Sequence, residues 1–280
     1  MLIKLGDFKK DILSQNPHEY KYLSPHIFKL KSKFYLLYCN RKSKLTFYGE
    51  INVAISSNLK NWEKLDTIFL KPRKIEYRSF VSPSIIEWNG KFYLFVEAQK
   101  NNKSSIIVYL SKNFKSWSIC SKFKLKNIKN NYYSPYAIKI KDKIYCYYSV
   151  NKKHIYCNIL DQNLKVEETF LCFSKSNIDE KNCIYAPMVI KYKKKYLLFY
   201  SAFRNLKSSN IKIATSIDGK KWNKKPKLFF ELNEKIQIIS EPFGLIYKQI
   251  FYMFFEYKIS DKWNVGLKSF NLKILDKWKL

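Results

Sequence analysis

Glycine is scarce in this sequence, with 6 residues in 280, and no Gly/Ser-rich or Pro-rich stretch divides the chain. Such stretches form flexible linkers, so their absence favours one domain over residues 1–280. No run of 18 apolar residues occurs, and this excludes a membrane-spanning helix in the sequence. The start, MLIKLGDFKKD, lacks the apolar core of a secretory signal, and we therefore expect a cytoplasmic protein.

Metal-binding and cofactor-binding motifs are missing as well. The 6 cysteines form no CxxC pair, and the 3 histidines show no metal-ligand spacing, which excludes the common zinc motifs. Reduced thiols fit a cytoplasmic location. The sequence has no P-loop, no GxGxxG and no nucleophile elbow, so we expect neither a cofactor nor a metal.

Acidic residues are few: 22 stand against 53 basic ones, which gives a net charge of +31. Nearly all the basic residues are lysines at strand ends and turns, where they keep edge strands from pairing with other chains. This distribution is typical of a solvated surface rather than of a single basic stripe. We therefore expect no specific nucleic-acid partner.

What the sequence does contain is a repeat that begins at a proline. The prolines stand 52 to 58 residues apart, and fourteen residues after each one an aromatic run ends: Pro25, Pro83, Pro135, Pro187 and Pro242. A third strand-like segment follows, and four of the five such segments lead to a tryptophan. A period of this length built from short strands is typical of a β-propeller.

The repeat predicts an all-β fold, a single five-bladed β-propeller. The blades are expected at 20–72, 78–126, 130–174, 182–231 and 237–280. The fifth blade lacks a fourth strand of its own, while MLIKLGDF has no other assigned place. We expect this N-terminal strand to close the last blade and so to remove an open edge.

Asn89-Gly90 sets the strand register, because this pair favours a two-residue type I′ turn. Counting outward from the turn places Ser82 opposite Glu97. The same spacing places Glu241 opposite Glu256, with carboxylates within about 7 Å of each other. Like charges in that position require a raised pKa or a bridging cation. Alternatively, one glutamate points to solvent or pairs with a lysine.

The segments SPSIIEWNGKFYLFVEA, YAPMVIKYKKKYLLFYSA and IATSIDGKKW resemble the five-bladed propeller glycosidases typified by arabinanases, β-xylosidases and invertases. The segment ISEPFGLIYKQIFYMFFE is similar to an element of a polysaccharide-locus family related to the N-terminal domain of plant glucosamine inositolphosphorylceramide transferase. The resemblance implies glycosyl hydrolysis or transfer on a sugar or sugar-phosphate ligand. It also suggests a role in surface-polysaccharide metabolism.

The resemblance implies three carboxylates at the funnel mouth, but those positions hold Ser24, Ser134 and Tyr185. Serine is no general base near neutral pH without a partner, and two-carboxylate hydrolysis needs both acids. By that pattern the chain is not a working arabinanase or xylosidase. Either the chemistry has moved to other residues, or the propeller binds a sugar without turnover, or it serves as a protein-interaction scaffold.

The remaining candidates map to the same funnel end. The candidate catalytic acids are Glu97, Glu241 and Glu256. The candidate substrate-binding residues are Arg41, Arg78, Arg204, His26, Tyr133, Tyr136 and Tyr185. Arginine forks match carboxylate and phosphate oxygens, and aromatic rings pack on the C–H faces of sugars. The alternatives are ordinary salt bridges for the arginines and core packing for the rings.

Overall fold

A computed structural model describes residues 3–5, 8–10, 12–13, 21–41, 48–72, 76–120, 130–176, 178–232, 236, 238–259 and 262–278. Over these ranges the chain is mostly β-strand, and the helices are two short 3-10 turns, Ile178–Glu180 and Leu272–Lys277. The all-β prediction is confirmed. None of the helices in this described part is long and apolar enough to cross a membrane.

After β1 (Ile3–Lys4), the described strands form five consecutive antiparallel groups, called groups one to five. Group one contains β2 (Lys21–Leu30), β3 (Lys33–Arg41), β4 (Glu50–Ser56) and β5 (Glu63–Leu70). Group two contains β6 (Ser79–Trp88), β7 (Lys91–Lys100), β8 (Lys103–Ser111) and β9 (Ser118–Ile119). Group three contains β10 (Tyr132–Ile140), β11 (Lys143–Val150), β12 (His154–Leu160) and β13 (Val166–Ser174).

Group four contains β14 (Cys183–Tyr192), β15 (Lys195–Asn205), β16 (Ser208–Ser216) and β17 (Asn223–Leu228), and β18 (Phe230–Glu231) follows it. Group five contains β19 (Ile238–Tyr247), β20 (Ile250–Ile259) and β21 (Lys262–Asn271). The first strands contact one another in cyclic order: β2 with β6, β6 with β10, β10 with β14, β14 with β19, and β19 with β2. The groups therefore surround a common axis, as the blades of a propeller do.

The sequence of each inner strand explains this packing. Strand β7 reads KFYLFVEAQK and is buried over most of its length, because neighbouring groups cover both of its faces. The turn before it is the predicted one: Trp88 pairs with Lys91, and Asn89 and Gly90 have φ of 49° and 68°. All six cysteines are free thiols.

The first strand of every group has a bulge at its proline, and this corrects the predicted register. Proline has no N–H to give to the ladder, so the pairing skips there. In group five Ser240 pairs with Glu256 and the next pair is Phe243 with Phe254, so Glu241 has no partner directly opposite it. The residue before each proline has positive φ, between 48° and 57°: Ser24, Ser82, Ser134, Ala186 and Glu241.

The N-terminal segment lies beside group five, as the closure prediction requires. Lys9 and Leu267 of β21 exchange two backbone hydrogen bonds of 3.0 Å. Phe8 packs on Phe255 and Tyr257, with ring centroids 5.3 and 5.1 Å apart. Gly266 makes room for it, because a Cβ there would lie 2.9 Å from the Phe8 ring. The pairing differs in one respect: β1 adds to β18 rather than to group five.

Candidate functional site

Five residues from the five bulges meet at the axis and form the axial ring: Ser24, Ser82, Ser134, Ala186 and Glu241. The Ser82 hydroxyl lies 3.4 Å from the Ser24 hydroxyl and 3.2 Å from the Ser134 hydroxyl. The ring and the prolines after it line a narrow cavity of about 30 Å³, which has room for about one water molecule. The axial cavity is therefore too small to hold a ligand of the size of a sugar ring.

Three residues of the axial ring are each held by a side chain from the neighbouring group that comes before theirs around the axis. The N–H of Ser24 donates to Glu256 Oε1 over 2.5 Å, and the N–H of Ser134 donates to Glu97 Oε2 over 2.9 Å. The N–H of Glu241 donates to the Ser201 hydroxyl over 2.8 Å. In each case the acceptor stands in the second half of the second strand of one group and reaches the bulge of the next group around the axis. Glu97 and Glu256 thus satisfy backbone donors that would otherwise be costly to bury.

Each of these two carboxylates also accepts hydrogen bonds from side chains. Glu256 Oε2 accepts from the Ser240 hydroxyl at 3.1 Å. Glu97 Oε1 accepts from the Gln99 amide at 2.6 Å and from the Ser104 hydroxyl at 2.8 Å. Both glutamates are 3% exposed. Through these contacts the two carboxylates hold the axial ring in place, and both also line the cavity above it.

Glu241 is the acid whose carboxyl belongs to the ring itself. Its Oε2 accepts from the Ser82 hydroxyl at 3.2 Å. Burial raises the pKa of Glu241 well above its ordinary value, and the nearby charges of Glu256 and Glu97 raise this pKa further. The raised pKa agrees with the sequence-based expectation. The expected pairing does not occur, because the bulge places Ser240, and not Glu241, directly opposite Glu256.

The mouth cavity, of about 180 Å³, lies over the ring. Its acidic lining consists of Glu97, Glu241 and Glu256. Its aromatic lining consists of Tyr133, Tyr185 and Trp263, and its cationic lining consists of Arg41 and Lys152. The three predicted acids therefore meet in one cavity with two of the predicted tyrosines and one predicted arginine.

The basic cavity, of about 490 Å³, adjoins the mouth cavity and shares four lining residues with it: Arg41, Gln99, Tyr133 and Lys152. It adds Arg78 and the β7–β8 turn, which comprises Lys100, Asn101, Asn102 and Lys103. The Lys152 ammonium lies 4.8 Å from the centre of the Tyr133 ring and 5.2 Å from that of Tyr185. Lys152 is thereby held at the wall that the two cavities share.

Three predicted site residues lie elsewhere. Arg204 lines a separate cavity with Asp179 and Asn210. His26 and Tyr136 follow their prolines, and the bulge directs them beneath the ring, where they line the narrow axial cavity. His26 Nε2 accepts from the N–H of Ile85 at 3.1 Å, and burial lowers the pKa of His26 to about 3. This histidine therefore joins groups one and two as a neutral acceptor.

The sequence contains signals for some of the residues that the prediction missed. Gln99 follows Glu97 by two positions on the same strand, so the two side chains share a face. Lys100 and Lys152 stand three residues after the ends of the aromatic runs of groups two and three, and Arg204 has the same offset in group four. Trp263 is the second residue of β21 and has no such signal. Among the described residues, no cluster of three or more His, Cys, Asp or Glu could hold a metal ion.

Comparisons with known proteins agree with this geometry. A family model described as the glycosyl hydrolases family 32 N-terminal domain matches residues 10–134. No curated protein matches the sequence. A solved thermostable family-43 glycoside hydrolase is 20% identical, with a TM-score of 0.72 and 91% of each chain covered.

The Bacillus subtilis arabinanase is 18% identical, with a TM-score of 0.67 and coverage of 93% of this chain and 97% of that one. The beta-1,2-mannobiose phosphorylase of Listeria innocua is 10% identical, with a TM-score of 0.73 and coverage of 98% and 97%. At these identities the shared property is the fold. The predicted resemblance to glycosidase propellers is confirmed, and the chain has a glycoside hydrolase-like propeller fold. The second resemblance, to the transferase-related family, stays a prediction.

Proposed function

We propose that this chain cleaves or transfers a glycosyl group at the mouth cavity, with Glu241 as the proton donor. The observation that supports this proposal is the position of Glu241, a carboxyl with a raised pKa under an aromatic-walled cavity in a glycoside hydrolase-like propeller. A carboxyl with a raised pKa keeps its proton to a higher pH than an ordinary glutamate, and protonation of a glycosidic oxygen requires such a proton donor.

The proposed step uses residues that line the mouth. A sugar stacks its C–H face on Tyr133, Tyr185 or Trp263. Glu241 gives its proton to the bridging oxygen, the bond from this oxygen to the anomeric carbon breaks, and an acceptor hydroxyl attacks that carbon. The acceptor is water in hydrolysis and a sugar hydroxyl in transfer. Its proton passes to Glu256, which Ser24 and Ser82 connect to Glu241.

A second candidate function is sugar binding without turnover. It is supported by Ser24, Ser134 and Tyr185 at the three positions where the resemblance implies carboxylates. The backbone contacts of Glu97 and Glu256 support it too. An accessible mouth cavity favours either sugar function over a protein-interaction scaffold. We further propose a cytoplasmic role in surface-polysaccharide metabolism, which the six free thiols and the second resemblance support.

The test combines a sugar-binding screen with turnover assays on aryl glycosides and nucleotide sugars, using the full chain. Glu241→Gln should lower turnover by about 10²- to 10⁴-fold and leave sugar affinity within about twofold. Glu87→Gln, at an exposed glutamate of β6, is the matched control and should change neither quantity. Binding without turnover by the unaltered chain would establish the second candidate. If no sugar binds, both candidates are wrong.

A further inference from the structure

The basic cavity is lined by cationic side chains, and it adjoins the mouth cavity, which contains the three glutamates. Five cationic side chains line it: Arg41, Arg78, Lys100, Lys103 and Lys152. Among the described residues that line this cavity, none is acidic. The three glutamates of the site all lie in the mouth cavity, on the other side of a shared wall. A concave surface lined by one sign of charge concentrates ligands of the opposite charge.

The cations come from groups one, two and three, and they stand at strand ends or in turns of these groups. Arg41 ends β3, and its guanidinium donates to the Gln99 side chain at 3.3 Å. Lys100 and Lys103 pair directly across the β7–β8 turn. Like charges in directly opposed positions cost stability, and a bound anion would offset that cost.

Lys152 is fixed more firmly than a surface lysine of an ordinary turn. Its ammonium lies over the rings of Tyr133 and Tyr185. Its backbone carbonyl accepts from the N–H of Ile184 at 2.9 Å, so the turn is bound to group four. Because side chain and backbone are both held, the cation loses little conformational freedom when it meets a ligand.

We propose that the basic cavity binds a phosphate group. A phosphate ester carries a charge of about −1.5 to −2 at pH 7 and three strong acceptor oxygens, whereas a carboxylate carries one charge and two oxygens. Two arginine forks and three ammonium groups match the phosphate better. Because the two cavities share a wall, this phosphate would lie next to a sugar in the mouth cavity. It would be either the phosphate group of a phosphorylated sugar or a free phosphate ion beside the sugar. The sugar part of the inference rests on the proposed function, whereas the phosphate contact does not.

The test is titration calorimetry of the full chain at fixed ionic strength with inorganic phosphate, α-D-glucose 1-phosphate and D-glucuronate. Arg78→Ala should weaken binding of the phosphate probes at least tenfold. Arg204→Ala removes the same charge from another exposed arginine, in a separate cavity, and should change affinity less than twofold. Lys103→Ala repeats the test at a turn position, in case Arg78→Ala lowers the melting temperature.

The probes identify the source of the phosphate. Equal affinity for both phosphate probes indicates free phosphate, and at least tenfold tighter binding of glucose 1-phosphate indicates a phosphorylated sugar; either supports the inference. It is overturned if neither probe binds, if glucuronate binds more tightly, or if Arg78→Ala and Arg204→Ala weaken binding equally. Glu241→Gln should retain phosphate binding. A chain that binds phosphate through Arg78 but neither binds nor processes a sugar would therefore refute the proposed function alone.

Discussion

Glu256 accepts a hydrogen bond from the backbone N–H of Ser24 over 2.5 Å, and this contact joins group five to group one, its neighbour around the axis. Both residues are buried, at 3% and 5% exposure. Ser24 has a φ of 57°, a conformation in which a non-glycine residue needs support from its surroundings. The carboxylate supplies that support, since it also accepts from the Ser24 hydroxyl.

Glu256→Ala should therefore destabilise the fold by about 2–3 kcal/mol, because a buried backbone N–H loses a charged acceptor. Urea unfolding followed by tryptophan fluorescence measures the loss. Glu256→Gln keeps one acceptor oxygen and should cost less than the alanine change. Equal stability of Glu256→Ala and the unaltered chain would contradict the role of this glutamate in holding the ring.

Glu241 makes stability depend on pH. Its pKa is raised in the folded state, so its contribution is fully present below the ordinary value of 4.5 and is lost as pH rises toward the raised pKa. Glu241→Gln imitates the protonated carboxyl. The variant should match the unaltered chain near pH 4 and exceed its stability above pH 4.5, by about 1.4 kcal/mol for each unit up to the raised pKa.

Melting temperatures from pH 4 to pH 8 test this expectation, with Glu87→Gln as the exposed control. A difference between Glu241→Gln and the unaltered chain that stays constant over this range would show that the Glu241 carboxyl is not perturbed.

Phe8→Ala should destabilise the whole domain, because Phe8 fixes the N-terminal segment on Phe255 and Tyr257. The ring is partly buried, and we expect a loss of about 2 kcal/mol in a single unfolding transition. Leu206→Ala is the control, since this side chain is 81% exposed and should change stability little. If the two variants are equally stable, the N-terminal segment does not contribute to closure.

Glu180→Gln should cost about 3–5 kcal/mol, because it leaves the fully buried ammonium of Lys212 without its nearest charge partner, 3.5 Å away. Burial by itself raises the pKa of Glu180, but Lys224, Tyr200 and Lys212 together lower this pKa below its ordinary value. The glutamate thus contributes stability above pH 4.5, and this contribution is lost as pH falls through the lowered pKa.

Chemical denaturation at pH 7 and pH 4 measures this difference for Glu180→Gln. The control is Glu168→Gln, which breaks an exposed pair with Lys220 and should change stability little. A loss for Glu180→Gln as small as the loss for Glu168→Gln would contradict the argument.

The strand groups were predictable because prolines and aromatic runs recur at regular spacing, and because Asn89-Gly90 specifies its turn. The position of Glu241 relative to Glu256 was predicted one residue out of register. A count of residues from the turn assumes an unbroken ladder, whereas the proline at 242 removes a donor and the ladder skips there. Bulges depend on the φ of the residue before the proline, and serine, alanine and glutamate at this position give no sign of a positive φ.

The bulge also explains which site residues were predictable. Residues before the proline, such as Tyr133 and Tyr185, face the mouth, whereas His26 and Tyr136 follow the proline and lie under the ring. Arg204 follows the end of its aromatic run by three residues, as Lys152 does, but Arg204 still lies within β15, whereas Lys152 lies in the turn after β11, and Arg204 lines another cavity. Turn geometry of this kind depends on tertiary packing and not on spacing alone.

The ring of bulge contacts has a consequence for biosynthesis. Glu256 comes from the last group and Ser24 from the first, so the mouth cavity that both residues line is incomplete until these distant parts of the chain have met. A nascent chain that has formed only the first four groups lacks both Glu241 and Glu256, because these two residues belong to group five. The mouth cavity is therefore completed in one late event, when the final group docks beside the first.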